Sequence, residues 1–374
     1  WSSDVCSSDL VLAAALAAIV LAAPSAVAAA PIAIPLGPGV VPDPPEVSAD
    51  AWILYDATHD VVLASESEDE VRAMASTTKM MTALLAIEHG GLDDEVRISE
   101  NAAGIGEAEV DLEAGETLTV RQLVTALMIR SANDASIAVA EHVAGSEAAF
   151  VEMMNERARA LGLEETQFAN PHGLDAPGHH SSARDLLTLA RVAMQEPLFA
   201  ELARTRRAVL PPDSTGVVRV VAATNRLLDD YEGLIGVKTG FTGAAGLCLV
   251  SAAMRDGRTL YAVVLGSEAH FADTAALLDH GFDDFRIYSA VAAGAEFGVR
   301  RTGSETVPAV AEEEVTVMGD ANLELTLEPE IRDGAPAIVA RLGGEEIGVT
   351  AVDAGPGGGL SGLLDALRWI FARP

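Results

Sequence analysis

Residues 75–86 read ASTTKMMTALLA, and the fold turns on whether this is an ordinary capped helix or a helix that carries a nucleophile. Ser76 and Lys79 are three residues apart, so on a helix they share a face and the ammonium can reach the hydroxyl. A serine hydroxyl attacks poorly until a base accepts its proton. A lysine becomes that base when desolvation and a nearby cation lower its pKa. The start of the helix also directs free N–H groups towards developing negative charge. The bland alternative is that Ser76 is a helix cap, a frequent role for serine. These four residues alone do not separate the two.

Two further stretches do. Downstream lies RSANDASIAVA (130–140), in which Ser131 and Asn133 stand at a helix entry. They are either caps or a second hydroxyl that relays a proton to a leaving amine, with an amide that orients Lys79. Further on, GLIGVKTG (233–240) ends a strand with Lys238, Thr239 and Gly240. A strand edge binds an extended peptide by main-chain pairing. Here it would add a cation and a hydroxyl suited to a carboxylate, with Gly240 permitting close approach. The alternative is a plain strand-to-turn transition. One compositional fact supports the chemical readings jointly. Of 24 Lys and Arg residues only two are lysines, Lys79 and Lys238. The two cations able to lose a proton both fall inside the motifs.

The 374 residues suffice for one large domain, or a large and a small one. Only 4% are aromatic, so the core is expected to be built of Ala, Val, Leu and Ile. The net charge of −32, with no basic tract, excludes nucleic acid as a partner class. Residues 1–10 (WSSDVCSSDL) resemble a translated sequencing-adapter oligonucleotide and are set aside. That leaves Cys248 with no internal disulfide partner. Residues 11–28 combine an apolar run with Ala26-Val27-Ala28, the pattern of a signal peptide, and imply export to the periplasm or the outer face of the cytoplasmic membrane. A Pro-rich linker is expected over 29–48.

Trp52–Asp56 and Val61–Ala64 read as a strand pair around Thr58-His59-Asp60. Helical spacing dominates from Ser76 to about Leu202, over Ser76–Glu88, Arg121–Ile129, Ala135–Val143, Ser146–Leu161 and Ser182–Gln195. From Ala208 the pattern is β-rich, with a hairpin turn at Arg255–Arg258. Helical spacing returns over Ala272–Tyr288. This order predicts an α+β domain over 49–290: an antiparallel sheet whose first strands are N-terminal and the rest C-terminal, with a helical subdomain between. Within residues 291–354 the stretch 308–352 alternates apolar and acidic residues and predicts a small β-rich domain. Residues 355–374 read as a Gly-rich link and a short amphipathic helix. That helix could contact a membrane peripherally or fold back on its own domain.

The motifs S-x-x-K, S-x-N and K-T-G, in this order, are the signature of penicillin-binding proteins and class A β-lactamases. Over roughly 51–288 the chain resembles the serine D-Ala-D-Ala carboxypeptidases, the low-molecular-mass penicillin-binding proteins. FANPHGLDAPGHHSSARDL (168–186), ATNRLL (223–228) and GVKTGFTGAAGLCLVSAA (236–253) extend the likeness. The resemblance implies a β-lactamase/transpeptidase-like fold and no cofactor or metal. It implies Ser76 as the acylated nucleophile and Lys79 as its base, with Ser131 and Asn133 in proton relay and substrate orientation. Lys238 and Thr239 would hold the terminal carboxylate of a peptidoglycan pentapeptide, beside Gly240. The N–H groups of Ser76 and Phe241 would form the oxyanion hole, and β-lactams would be covalent inhibitors. Two departures stand out: Met74 replaces a common Pro, and His270 stands where an Arg often helps bind the carboxylate. The latter predicts weaker or pH-dependent carboxylate binding. A class A-like β-lactamase is the nearest rival, but its Glu-x-x-Leu-Asn segment is missing between the second and third motifs. A non-catalytic wall-binding scaffold is the rival of a different class, and it predicts a broken motif. His179 and His180 are adjacent, which disfavours a shared metal. Ser182 and Asp185 read as a capping-box variant, and Cys248 as a buried small hydrophobe.

Overall fold

The computed structural model describes residues 34–300, 306–333 and 335–353. The readings placed on 1–28 and on 355–374, including the signal segment and the terminal amphipathic helix, lie outside these residues.

The N-terminal strands β1 (Ala51–Asp56) and β2 (Val61–Glu66) form the expected hairpin. The Asp56 carboxylate accepts the N–H groups of Thr58 and His59 and so closes its turn. A 3₁₀ turn at Ala75–Thr78 leads directly into α1 (Lys79–His89). The helical part follows. A small ribbon of β3 (Glu95–Arg97) and β4 (Thr117–Thr119) brackets α2 (Glu100–Ala103). Then come α3 (Val120–Ile129), α4 (Asn133–Ala144), α5 (Glu147–Ala160), α6 (Ala183–Ala193) and α7 (Pro197–Ala203). The α3 helix starts with a full capping box between Thr119 and Gln122. At α6 only half of the expected box forms. Ser182 accepts from Asp185 N–H, but the Asp185 carboxylate turns to Glu165 N–H and the Thr166 hydroxyl.

The chain then makes a separate hairpin, β5 (Arg207–Leu210) with β6 (Arg219–Ala222), and a single turn, α8 (Leu227–Asp230). It returns to the main sheet as β7 (Leu234–Thr242), β8 (Gly246–Arg255) and β9 (Arg258–Ser267). The sheet order is β2-β1-β9-β8-β7, all antiparallel. N-terminal strands thus pair with C-terminal ones, as the element order requires. Alternate residues feed two cores. Ile53, Tyr55, Val250 and Val263 face the helical part, while Trp52, Leu54, Leu249 and Val264 face the other side with Leu277 and Leu278. Those two leucines belong to α9 (His270–Asp279).

Helical spacing was expected to run to Tyr288, but the helix ends in a wide turn at His280–Asp284 and β10 (Phe285–Val291) begins. The reason is tertiary. FRIYSAV is rich in β-branched and aromatic residues, and it pairs with a distant strand, Val315–Asp320. In chain order the C-terminal strands are β11 (Glu296–Arg300), β12 (Thr306–Ala311), β13 (Val315–Asp320), β14 (Leu325–Arg332), β15 (Ala335–Leu342) and β16 (Glu345–Asp353). They form a sheet ordered β11-β12-β16-β15-β14 beside the β10-β13 pair. Within the stretch read as a linker, Leu36 bridges Met318 in parallel, and Pro35 and Val40 accept from the N–H groups of Met318 and Asp320. Met318 is fully buried in the second core, with Leu54 and Leu260.

Candidate active site

The turn before α1 makes the site possible. Ala75 has φ +48°, a left-handed conformation that a non-glycine residue adopts only under constraint. The constraint is visible. The Thr77 and Thr78 hydroxyls donate to Met74 O (2.6 Å) and Ala75 O (2.7 Å). The Thr78 oxygen also meets His179 Nε2 at 2.8 Å, while His179 Nδ1 accepts Ala169 N–H at 3.0 Å. An accepting Nδ1 fixes the proton on Nε2, so His179 donates to Thr78 and Thr78 to Ala75 O. Burial lowers the His179 pKa to about 4, consistent with a neutral ring.

Ser76 makes no cap. Its hydroxyl instead accepts from Lys79 Nζ at 3.0 Å. The same ammonium-bearing atom donates to Asn133 Oδ1 (2.8 Å) and to His172 O (2.5 Å). Lys79 is fully buried. Desolvation first, and then the Lys238 charge, hold its pKa well below the ordinary lysine value, against the raising effect of Asp134 and Glu107. An amine that loses its proton 3.0 Å from a hydroxyl is a competent general base. His172, whose carbonyl completes this cage, has its own ring pKa lowered to about 3, chiefly by burial.

The second motif forms the opposite wall. Ser131 sits at φ +65° just before α4, and its hydroxyl accepts from Lys238 Nζ at 3.0 Å. Asn133 is clamped by its surroundings: its N–H donates to Ala108 O and its amide to Gly106 O, leaving Oδ1 for Lys79. The loop that supplies those carbonyls is tied down by Asp134. The Asp134 carboxylate accepts Val110 N–H and Leu112 N–H, each at 3.1 Å, and Ala135 N–H at 2.8 Å. Neither Ser131 nor Asn133 acts as the cap of α4; Ala132 occupies that position without a side-chain bond.

The third motif lies on β7. Lys238 is buried, also donates to Thr239 O at 3.0 Å, and has its pKa lowered by desolvation to about 7. The Thr239 hydroxyl lies 2.5 Å from that of Thr224. Gly240 was expected to admit the ligand to the backbone. The space it leaves is occupied by the protein: a Cβ there would lie 3.0 Å from both Ala75 Cβ and Ser76 N. Glycine at 240 thus lets β7 press against the nucleophile turn. Gly173 does the same from the other side, since at φ +93° its Cβ would fall 2.1 Å from Ala75 O. Phe241 follows at the rim, 66% exposed.

Ser76, Ser131, Thr239, Gly240, Phe241 and His270 all line one cleft of about 680 Å³. Lys79, Asn133 and Lys238 lie buried beneath it, bonded to its walls. The nine residues named for the site from the sequence therefore line this cleft or lie directly under it. His270 opens α9, with its ring centroid 3.9 Å from that of Phe271. Burial lowers its pKa, with Asp273 opposing, so it brings no fixed cation at neutral pH. Sequence reasoning gave His172, His179, Asn170 and Asp134 no part in the site. Asn170 Oδ1 accepts from His172 N–H and Gly173 N–H and so shapes the loop that cages Lys79. The only signal for Asn170, His172 and His179 was their place in FANPHGLDAPGHHSSARDL, and for Asp134 its place in RSANDASIAVA beside Asn133. Among the described residues no group of three or more His, Cys, Asp or Glu side chains is arranged to hold a metal.

Comparison with known proteins gives consistent results. The family model of peptidase S11, D-alanyl-D-alanine carboxypeptidase, matches residues 39–269. The D-alanyl-D-alanine carboxypeptidase DacF of Bacillus subtilis is 33% identical over 301 residues, which is 77% of each chain. The crystal structure of the D-alanyl-D-alanine carboxypeptidase DacD from Francisella tularensis superposes with a TM-score of 0.67 at 26% identity, covering 84% of this chain and 94% of that one. The Streptomyces K15 DD-transpeptidase gives 0.61 at 31% identity, covering 64% of this chain and 99% of that one.

Proposed function

Because the chain belongs to the peptidase S11 family of D-alanyl-D-alanine carboxypeptidases, we propose that its cleft removes the terminal D-Ala from peptidoglycan stem peptides through an ester on Ser76. It is a serine hydrolase of the penicillin-binding type, and the family acts on cell-wall peptide outside the cytoplasm. Among the described residues no helix is long and apolar enough to cross a membrane. Export would be directed by residues 11–28, and the catalytic unit would span 49–290, with 291–354 as an accessory β-rich domain.

In this reading the peptide lies along β7 with its carboxylate at Lys238 and Thr239. Neutral Lys79 takes the Ser76 proton as Oγ attacks the penultimate carbonyl. The oxyanion collects at the N–H groups of Ser76 and Phe241, donors of the kind whose loss costs about 10²–10³ in rate. Lys238 and Ser131 relay a proton to the departing amine, and water then cleaves the ester. A penicillin enters by the same first step and stalls as an adduct. The observation that carries the reading is Lys79 Nζ, buried 3.0 Å from Ser76 Oγ, with desolvation holding its pKa well below the ordinary lysine value.

Intact-mass analysis with benzylpenicillin tests it, beside an assay of D-Ala release from a pentapeptide. The expected result is one persistent adduct, lost in Ser76→Ala, together with D-Ala release. Rapid drug turnover without D-Ala release would instead favour a β-lactamase. Neither adduct nor release would leave a non-catalytic scaffold.

A further inference from the structure

The amide of Asn133 is aimed at Lys79 by the loop of residues 105–113, and that loop is held from two directions. Ala108 O accepts Asn133 N–H at 2.6 Å, and Gly106 O accepts from the Asn133 amide at 3.1 Å. From the α4 side, Asp134 takes the N–H groups of Val110 and Leu112. From the other side the holder is Arg219, on β6. Its Nε donates to Val110 O at 2.8 Å and its Nη2 to Asp111 O at 2.9 Å. Val110 is thus gripped at its N–H by one residue and at its carbonyl by the other. The remaining guanidinium donors meet two carboxylates, Asp213 at 2.5 Å and Glu116 at 2.8 and 3.0 Å, and the side chain is only 10% exposed. The tip of the β5-β6 hairpin is fastened as well: Thr117 N–H donates to Ser214 Oγ at 2.8 Å, and Ser214 N–H to Thr117 O at 3.2 Å.

An arginine that only balanced charge would need its carboxylates alone. This one also directs donors at two carbonyls of the loop that fixes Asn133. A rigid fork of five donors can reach all four residues, whereas an ammonium is a single point. We infer that Arg219 is a positioning residue for acylation: by holding the carbonyls of Val110 and Asp111 it keeps the 105–113 loop in place, and with it the Asn133 amide against Lys79. Arg219 itself lies outside the cleft and touches no reacting atom. The charges that act on Lys79 are Lys238, Asp134 and Glu107, the last on this same loop, but burial is the largest effect. A loosened loop admits water to the amine and returns its pKa towards the ordinary lysine value. Acylation needs the neutral amine, so the resulting loss is greatest at low pH.

This rests on the acyl-enzyme reading, and the test tells the two apart. Formation of the benzylpenicillin adduct is timed by mass from pH 6 to pH 9 in wild type and two variants, with rates expressed per folded molecule from denaturant melts. Arg219→Lys keeps a cation beside the carboxylates but cannot span both carbonyls. Arg219→Gln combined with Glu116→Gln removes the cation together with one carboxylate, while Asp213 keeps the N–H groups of Thr215 and Val217. Both variants are expected to acylate about 10- to 100-fold more slowly at pH 7, with the midpoint of the rate–pH profile moved up and the deficit smaller at pH 9. Unchanged acylation in either variant, or a deficit that is the same at every pH, overturns the assignment while the function stands. A wild type that forms no adduct overturns the function and this inference with it.

Discussion

At the scale of single residues the chemistry is concentrated on one nitrogen. Lys79 Nζ touches Ser76 Oγ, Asn133 Oδ1 and His172 O; as a neutral amine it donates its two hydrogens to the two carbonyl oxygens and keeps its lone pair for the Ser76 hydroxyl. Replacing it by a base-incapable cation should therefore be decisive. Lys79→Arg is expected to fold and to slow penicillin acylation by about 10²–10⁴, read as the rate of adduct formation by mass; near-wild-type acylation would remove Lys79 as the base. His179 makes a prediction about stability. Its ring titrates near 6.5 when unfolded but only near 4 when buried. Between those values the unfolded chain binds the extra proton, so stability falls as pH is lowered through that window. The limit is about 3 kcal/mol. Denaturant melts of His179→Gln, set beside wild type from pH 7 to pH 4, should show a shallower loss. Parallel curves would mean that His179 contributes no such proton linkage.

The elements matter here through their ends and their contacts. The start of α4 carries Asn133, but the orientation of that amide is set by the loop before α3, and Asp134 anchors the loop by two N–H groups besides its bond to Ala135 N–H. Asp134→Asn places an amide NH₂ among donors and leaves at least one of them unmet. A loss of about 1–3 kcal/mol in urea unfolding is expected, with slower acylation because Asn133 no longer holds Lys79. Stability and acylation both unchanged would show that the loop is fixed by other contacts. The nucleophile turn shows the same dependence on neighbours. Gly173, on a loop, and Gly240, on β7, approach Ala75 and Ser76 from parts of the chain far apart in sequence; a side chain at Gly173 would clash outright, and one at Gly240 would force the turn to shift. No propensity of residues 75–78 accounts for φ +48° at Ala75; the surrounding contacts impose it.

For the whole molecule, the main sheet is buried on both faces, and the second face is closed partly by the C-terminal strands. Met318, from β13, is fully buried with Leu54, Leu260 and Leu278, and the Arg258 guanidinium lies 3.6 Å from its sulfur. The β-rich segment is therefore packed into the core that supports β9 and α9, and α9 carries His270. Met318→Ala should cost about 2–5 kcal/mol, measured by thermal or chemical unfolding of the whole chain. Because that core is shared, the loss should appear as a shift of one cooperative transition. A separate early transition with the main one unmoved would show that the C-terminal strands unfold independently.

The amino-acid sequence by itself determined the order of strands and helices, the three motifs and the pairing of two lone lysines with them. Those features are local: period, turn chemistry and spacing along one face of a helix need only neighbouring residues. It also carried the family, since the motifs stand in a fixed order. Only the tertiary structure decided what depends on groups distant along the chain. The helix after His270 stops at Asp284 because β13 offers a partner to Phe285–Val291. Gly240 serves the nucleophile turn, and His179, unremarkable as one of two adjacent histidines, holds Thr78 from 101 residues away. The pKa of Lys79 belongs to this second class as well, because desolvation and the Lys238 charge exist only once sheet and helices have closed over it.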